Sequence, residues 1–237
     1  MRVPTLSSIE GPPATEQCDF GHSYRAAGVS ERFPIAVLVS GTGTNLQALL
    51  DSVHGREVDV VAVASSAHGA QALERARARD IPAEVFARGA YADRAARDGA
   101  LADWLQERGA RMIVLAGYME LLGASFLARF PGAVINVHPS LLPAFPGLAA
   151  VEQALAYGVK VFGVTVHFVD EGVDSGPVIL QGALELPDAR TPEEVLAALR
   201  PLEHSLLPRA VVLVARGELV PDERNPRRMI AGRPSEG

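Results

Sequence analysis

One cysteine, Cys18, is all that 237 residues contain. A lone thiol cannot build a disulfide framework, which fits a reducing cytoplasm. No apolar run approaches the ~20 residues a membrane helix needs. The N-terminus lacks the apolar core of a signal peptide, so a cytoplasmic location is expected. Positive charge is not in excess: 22 Lys and Arg stand against 28 Asp and Glu, a net charge of −6. That balance gives no strong general attraction to nucleic acid or to an anionic membrane. No Cys and His cluster has metal-site spacing, and no metal is expected. The remaining composition is that of a soluble globular protein, 48% apolar, with length for one sizeable core or at most two small ones.

The most informative stretch is 134–147, VINVHPSLLPAFPG. Val134, Ile135 and Val137 are β-branched and apolar, as in a buried strand. Asn136 and His138 interrupt that strand, and residues two apart share a face. Pro139, Pro143 and Pro146 then stiffen the following loop, since proline fixes φ. A stiff loop behind a strand bearing Asn and His suits a preorganised site. A histidine satisfied inside the core is the competing reading of His138 taken alone.

The rest of the chain alternates strand and helix. Residues 1–33 have no apolar periodicity and are expected to be a poorly ordered extension. Strands are expected at 35–40, 58–65, 83–86 and 111–119, with helices at 46–53, 69–80, 91–108 and 148–157. That alternation predicts a mostly parallel α/β sheet flanked by helices in a single domain over 34–221. Residues 160–186 read as two strands joined directly by an acidic loop, a hairpin that makes the sheet partly mixed. Thr191, Pro192 and Glu194 open a helix over 191–216 with a capping box, and Pro201 is expected to kink or divide it. Residues 222–237 are polar and are expected to fray. The arginine-rich face of Arg75, Arg77 and Arg79 reads as solvated.

GTGTN at 41–45 follows the first strand and opens a helix. Strand, glycine turn and helix N-terminus bring backbone N–H groups to an anion. No third glycine and no lysine follow, so a single phosphate monoester fits better than a dinucleotide.

Two motifs carry a resemblance. N-x-H-P-S-L-L-P, from Asn136 to Pro143, resembles the signature of the folate-dependent formyltransferases, and G-x-G-x-N resembles the ribose-phosphate loop of the phosphoribosylglycinamide formyltransferases. The resemblance runs over roughly 34–221 and implies a Rossmann-like fold. It also implies formyl transfer from 10-formyltetrahydrofolate to glycinamide ribonucleotide, in purine biosynthesis, by a monomer or homodimer. It implies phosphate contacts at Gly43, Thr44 and Asn45 and an amine contact at Glu203. The folate would lie against 119–122 (Met119, Glu120, Leu121, Leu122), Asn136 and 170–174 (Asp170, Glu171, Gly172, Val173, Asp174), with its glutamate tail at Arg94. His167 is implied as a support behind the reacting groups.

Formyl transfer passes through a tetrahedral centre whose oxyanion needs preorganised donors. The Asn136 amide and His138 imidazole are of that kind, and a carboxylate beside His138 would favour its charged form. Asp174 is the family's choice; Asp170, Glu171 and Asp188 compete on composition alone. The sequence departs from its relatives at Glu120, where arginine is frequent, at Ala149, where histidine is, and at Arg200, where glutamine is. Among rivals, methionyl-tRNA formyltransferase would need a further C-terminal domain and a basic face. Formyltetrahydrofolate deformylase would need an N-terminal regulatory domain. A sugar-nucleotide formyltransferase should lack G-T-G-T-N-L. A non-catalytic nucleotide-binding module would not need the Asn136, His138 and Asp174 set.

Overall fold

This computed structural model describes residues 32–232. Nine strands form one sheet in the order β3-β2-β1-β4-β5-β6-β7-β9-β8. They are β1 Phe33–Val39, β2 Val58–Ser65, β3 Ala83–Val85, β4 Met112–Leu115, β5 Val134–His138, β6 Val161–Phe168, β7 Val178–Glu185, β8 Leu219–Asp222 and β9 Asn225–Ala231. The first five pair in parallel, whereas β6 lies antiparallel to both β5 and β7. The mostly parallel, partly mixed sheet of the sequence reading is therefore what the chain forms. The helices are α1 Thr44–Ser52, α2 Gln71–Arg77, α3 Arg94–Glu107, α4 Ala124–Leu127, α5 Ala150–Tyr157 and α6 Pro192–Ala215.

Alternation along the central strands feeds two cores. Ile35, Val37, Met112, Val114, Ile135 and Val137 pack with α1, α2, α5 and α6. Ala36, Leu38, Ile113, Leu115 and Val134 pack with α3 and with Phe126 of α4. Period two then sets Asn136 and His138 on the Val134 face, the face of α3 and α4.

Several expectations need correction. Residues 219–231 form an antiparallel hairpin, with Val220 opposite Ile230 and Pro221 opposite Met229, and β9 touches β7 at Val178 and Arg228. Leu219 and Met229 pack against the core from this hairpin, a contact that the polar composition concealed. Pro201 does not divide α6, which runs unbroken through Pro201 and Pro208. Each interior proline removes one N–H bond, and burial of Leu199, Leu206, Leu207, Ala210, Val211 and Val214 holds the helix together. Its capping box is present as expected. The strand expected over 111–119 stops at Leu115, because the chain turns at Gly117 with φ +76°. Helix α3 begins at Arg94 rather than 91, where the Asp93 carboxylate accepts from the Ala96 N–H. The one-turn α4 was not expected. The extension expected over 1–33 lies outside the described residues except for Arg32 and Phe33, and Phe33 already belongs to β1.

Candidate active site

Directly opposed residues of antiparallel strands share a face. Asn136 lies opposite His167, and His138 opposite Thr165; Gln181 on β7 continues the row opposite Thr165. A buried polar row must find partners, and the proline loop provides them. Thr165 Oγ1 donates to Ser140 O at 2.7 Å and accepts from Leu142 N at 3.1 Å. Gln181 Nε2 donates to Leu142 O and to Thr165 Oγ1, each at 2.9 Å. These bonds hold the loop across the sheet face at the end of β5.

The loop after β6 folds back over the same face and brings Asp174 to the centre. Asp174 Oδ2 accepts from Gly147 N at 2.7 Å and lies 3.3 Å from His138 Nδ1. Its Oδ1 accepts from Asn136 Nδ2 at 3.4 Å and lies 3.5 Å from His167 Nε2. His138 Nε2 donates to Phe145 O at 2.9 Å. Both ring nitrogens of His138 therefore face acceptors. His167 Nδ1 donates to Phe168 O at 2.8 Å, and its Nε2, facing Asp174 Oδ1, also stands 3.3 Å from Asn136 Nδ2. The two contacts of the Asn136 amide, at 3.3 and 3.4 Å, are long for hydrogen bonds.

Burial alone would raise the Asp174 carboxyl, yet the His167 ring, the Gly147 amide and the charge of His138 pull it down from 3.8 to about 2. The residue also sits at φ +49°, a left-handed backbone that non-glycine residues adopt at an energetic cost and that clusters at active sites. Asp170 does not reach this centre. Its Oδ1 accepts from Gly172 N at 3.1 Å and Ser175 Oγ at 2.7 Å, shaping the loop, with Glu171, Gly172 and Val173 exposed at its tip. Asp174 is thus singled out from its acidic neighbours by geometry.

The glycine turn lies two strands away, roughly 10 Å at ordinary strand spacing, because β4 separates the parallel β1 and β5. Gly43 caps α1 at φ +71° and no side chain caps that end. The N–H groups of Thr44 and Asn45 open the first turn, where an anion is favoured. Gly43 is required for packing, since an added Cβ would stand 2.5 Å from Ala72 Cβ on α2. The solvated reading of Arg75 is overturned: its Nε donates to Thr42 O at 2.9 Å and its Nη1 to Gln47 Oε1 at 3.0 Å, bracing the turn. Asn45 Nδ2 donates to Glu203 Oε2 at 3.2 Å, tying this turn to α6. Burial raises the Glu203 carboxyl against the Asn45 hydrogen bond and the charge of Arg200.

Arg94 is exposed at the start of α3, beside Gly123. Met119 and Leu121 are exposed and Leu122 is half-buried, while Glu120 pairs with Arg97 at 2.8 Å. Sequence reasoning missed Arg97, Asp98, Thr165 and Gln181. It also missed Arg227 of β9, whose Nη2 donates to Ser175 O at 2.6 Å. Arg227 and Asp174 both line an open cavity of about 420 Å³ between the two loops. Among the described residues no group of three or more His, Cys, Asp or Glu is placed to hold a metal, and no helix is long and apolar enough to cross a membrane.

Comparison with known proteins places the chain in a family. The formyl transferase family model matches residues 33–211. Phosphoribosylglycinamide formyltransferase of Bacillus subtilis is 42% identical over 178 residues, 74% of this chain and 91% of that protein. The Haemophilus influenzae protein of the same name is 39% identical over 187 residues, 78% of this chain and 88% of its own. The trifunctional purine biosynthetic protein adenosine-3 of Drosophila melanogaster is 41% identical, but the match spans only 14% of its length. The crystal structure of glycinamide ribonucleotide transformylase 1 from Symbiobacterium toebii aligns with a TM-score of 0.82 at 43% identity, over 88% of this chain and 99% of that one. The chain belongs to the formyl transferase family.

Proposed function

We propose that this chain is a cytoplasmic phosphoribosylglycinamide formyltransferase that moves the formyl group of 10-formyltetrahydrofolate onto the amine of glycinamide ribonucleotide. The observation that carries the reading is the contact of His138 Nδ1 with Asp174 Oδ2 at 3.3 Å, with Asn136 and His167 on the same sheet face.

In this reading the substrate amine attacks the formyl carbon, forming a C–N bond and a tetrahedral centre. As charge develops, a protonated His138 turns its Nε2–H from Phe145 O, and the Asn136 amide turns an N–H from its long contacts, to the oxyanion. Collapse breaks the bond to the folate nitrogen, which takes up a proton, while the amine gives one up. Asp174 keeps a proton on His138 for that exchange, and His167 holds Asp174 and Asn136 in place. The substrate phosphate rests on the N–H groups of Gly43, Thr44 and Asn45, and Glu203 meets the amine end. The folate lies against 119–122 and 170–174, with its carboxylate tail at Arg94. No step is assigned to a metal, and the reading needs no second subunit, so monomer and homodimer serve equally.

Incubation of the protein with both substrates tests this. Formylglycinamide ribonucleotide and tetrahydrofolate in equal amounts are expected. Formate released without formylated nucleotide would mean a deformylase, and binding without turnover would mean a non-catalytic module.

A further inference from the structure

The segment 118–123 follows β4 without regular structure, so side chains must hold it. Two of them come from α3. Arg97 and Asp98 are each 1% exposed. They extend the buried stripe of Leu101, Ala102 and Leu105 toward the N-terminal end of the helix. The Arg97 guanidinium spends its donors in three directions. Its Nε and Nη2 bond Asp98 Oδ1 at 3.1 and 2.7 Å, Nη1 bonds Glu120 Oε2 at 2.8 Å, and Nη2 also bonds Leu121 O at 2.8 Å. Asp98 Oδ2 in turn accepts from Gly123 N at 2.8 Å. At the near end of the segment, Met119 N donates to Ser40 Oγ at 2.8 Å.

Burying a lone charge costs several kcal/mol in real proteins, so a buried guanidinium is kept where its donors are used, and four of the five N–H of Arg97 are. Here the donors meet one backbone carbonyl, one carboxylate on the segment and one carboxylate that itself grips the segment. We infer that Arg97 is a positioning residue for the folate co-substrate, setting with Asp98 the conformation of 120–123 against which the folate ring lies. This rests on the formyl-transfer reading. Arg97 is too deeply buried to touch the co-substrate and acts through Glu120, Leu121 and Gly123. Arg94, three residues earlier on α3, stands beside Gly123, so one helix both supplies the tail contact and shapes the ring contact.

Two variants test it. Arg97→Lys keeps the charge facing Asp98, but a single ammonium lacks the planar fork that reaches Asp98, Glu120 and Leu121 O together. The double variant Arg97→Met with Asp98→Asn removes both fully buried charges, leaves only the Glu120 carboxylate, which is 30% exposed, and keeps an acceptor for the Gly123 N–H. The KM for 10-formyltetrahydrofolate is expected to rise roughly tenfold in the double variant, since a displacement of about 1 Å can cost up to ~10²-fold. A smaller rise is expected in Arg97→Lys. The KM for glycinamide ribonucleotide should stay unchanged in both. An unchanged folate KM in Arg97→Lys, or equal rises in both KM values, overturns the proposal. A wild-type protein without folate-dependent turnover overturns the formyl-transfer reading with it, so the two failures are separated by the wild-type control.

Discussion

Replacing Asp174 by asparagine keeps the shape of the side chain and removes its charge, and the structure sets what that charge contributes. The carboxyl is held at about 2 against an ordinary 3.8. At about 1.4 kcal/mol per pKa unit, that difference makes the folded state about 2 kcal/mol more favourable to the carboxylate than the unfolded chain is. The sign follows from the depressed value. The stabilisation is fully present above the unfolded pKa near 4 and is lost as pH falls through the folded value near 2. Urea unfolding of wild type and Asp174→Asn across that range should show a difference of about 2 kcal/mol at neutral pH, shrinking as acid protonates the wild-type carboxyl. Turnover at neutral pH should also fall, with little change in either KM, because the charge serves the reacting centre rather than substrate binding. A stability difference that is independent of pH, or that grows in acid, would refute the assignment of Asp174 as the anionic partner of the histidines.

Gly43→Val should do more than weaken phosphate binding. The added Cβ meets Ala72 at 2.5 Å from a left-handed backbone, so thermal unfolding should show a loss of stability together with a raised KM for glycinamide ribonucleotide. Thr191→Ala removes the side-chain acceptor for Glu194 N; it should lower stability by about 1 kcal/mol and leave both KM values unchanged in steady-state assays. Asn136→Ala removes one of the two oxyanion donors of the proposed mechanism and should lower kcat on the order of 10²–10³-fold, measured at saturating concentrations of both substrates.

Much of this arrangement was legible in the chain. Short continuous apolar runs marked the buried strands, and Asn136 and His138 two apart on one of them predicted a shared face, which the pairing with His167 and Thr165 confirms. The capping box announced α6 because its chemistry is local. What stayed hidden depends on contacts far apart in sequence. Arg75 looked like one of three arginines on a wet helix, yet it reaches back to Thr42. Arg97 and Asp98 sit at helical spacing from Leu101 and Leu105, a stripe that charge disguised, and only the return of 118–123 to α3 supplies their partners. The hairpin at 219–231 was missed because a four-residue strand divided the apolar positions across the boundary where polar composition begins.

The central claim, that His138 and Asp174 serve formyl transfer as one unit, is tested most directly by a double-mutant cycle on kcat. His138→Ala should cost at least about 10²–10³-fold, as expected for a positioned oxyanion donor. With the ring gone, the Asp174 charge has lost the group it serves, so the double variant should be little slower than the slower single variant. Activation free energies that add in full would mean independent roles and contradict the account, however slow each single variant proved.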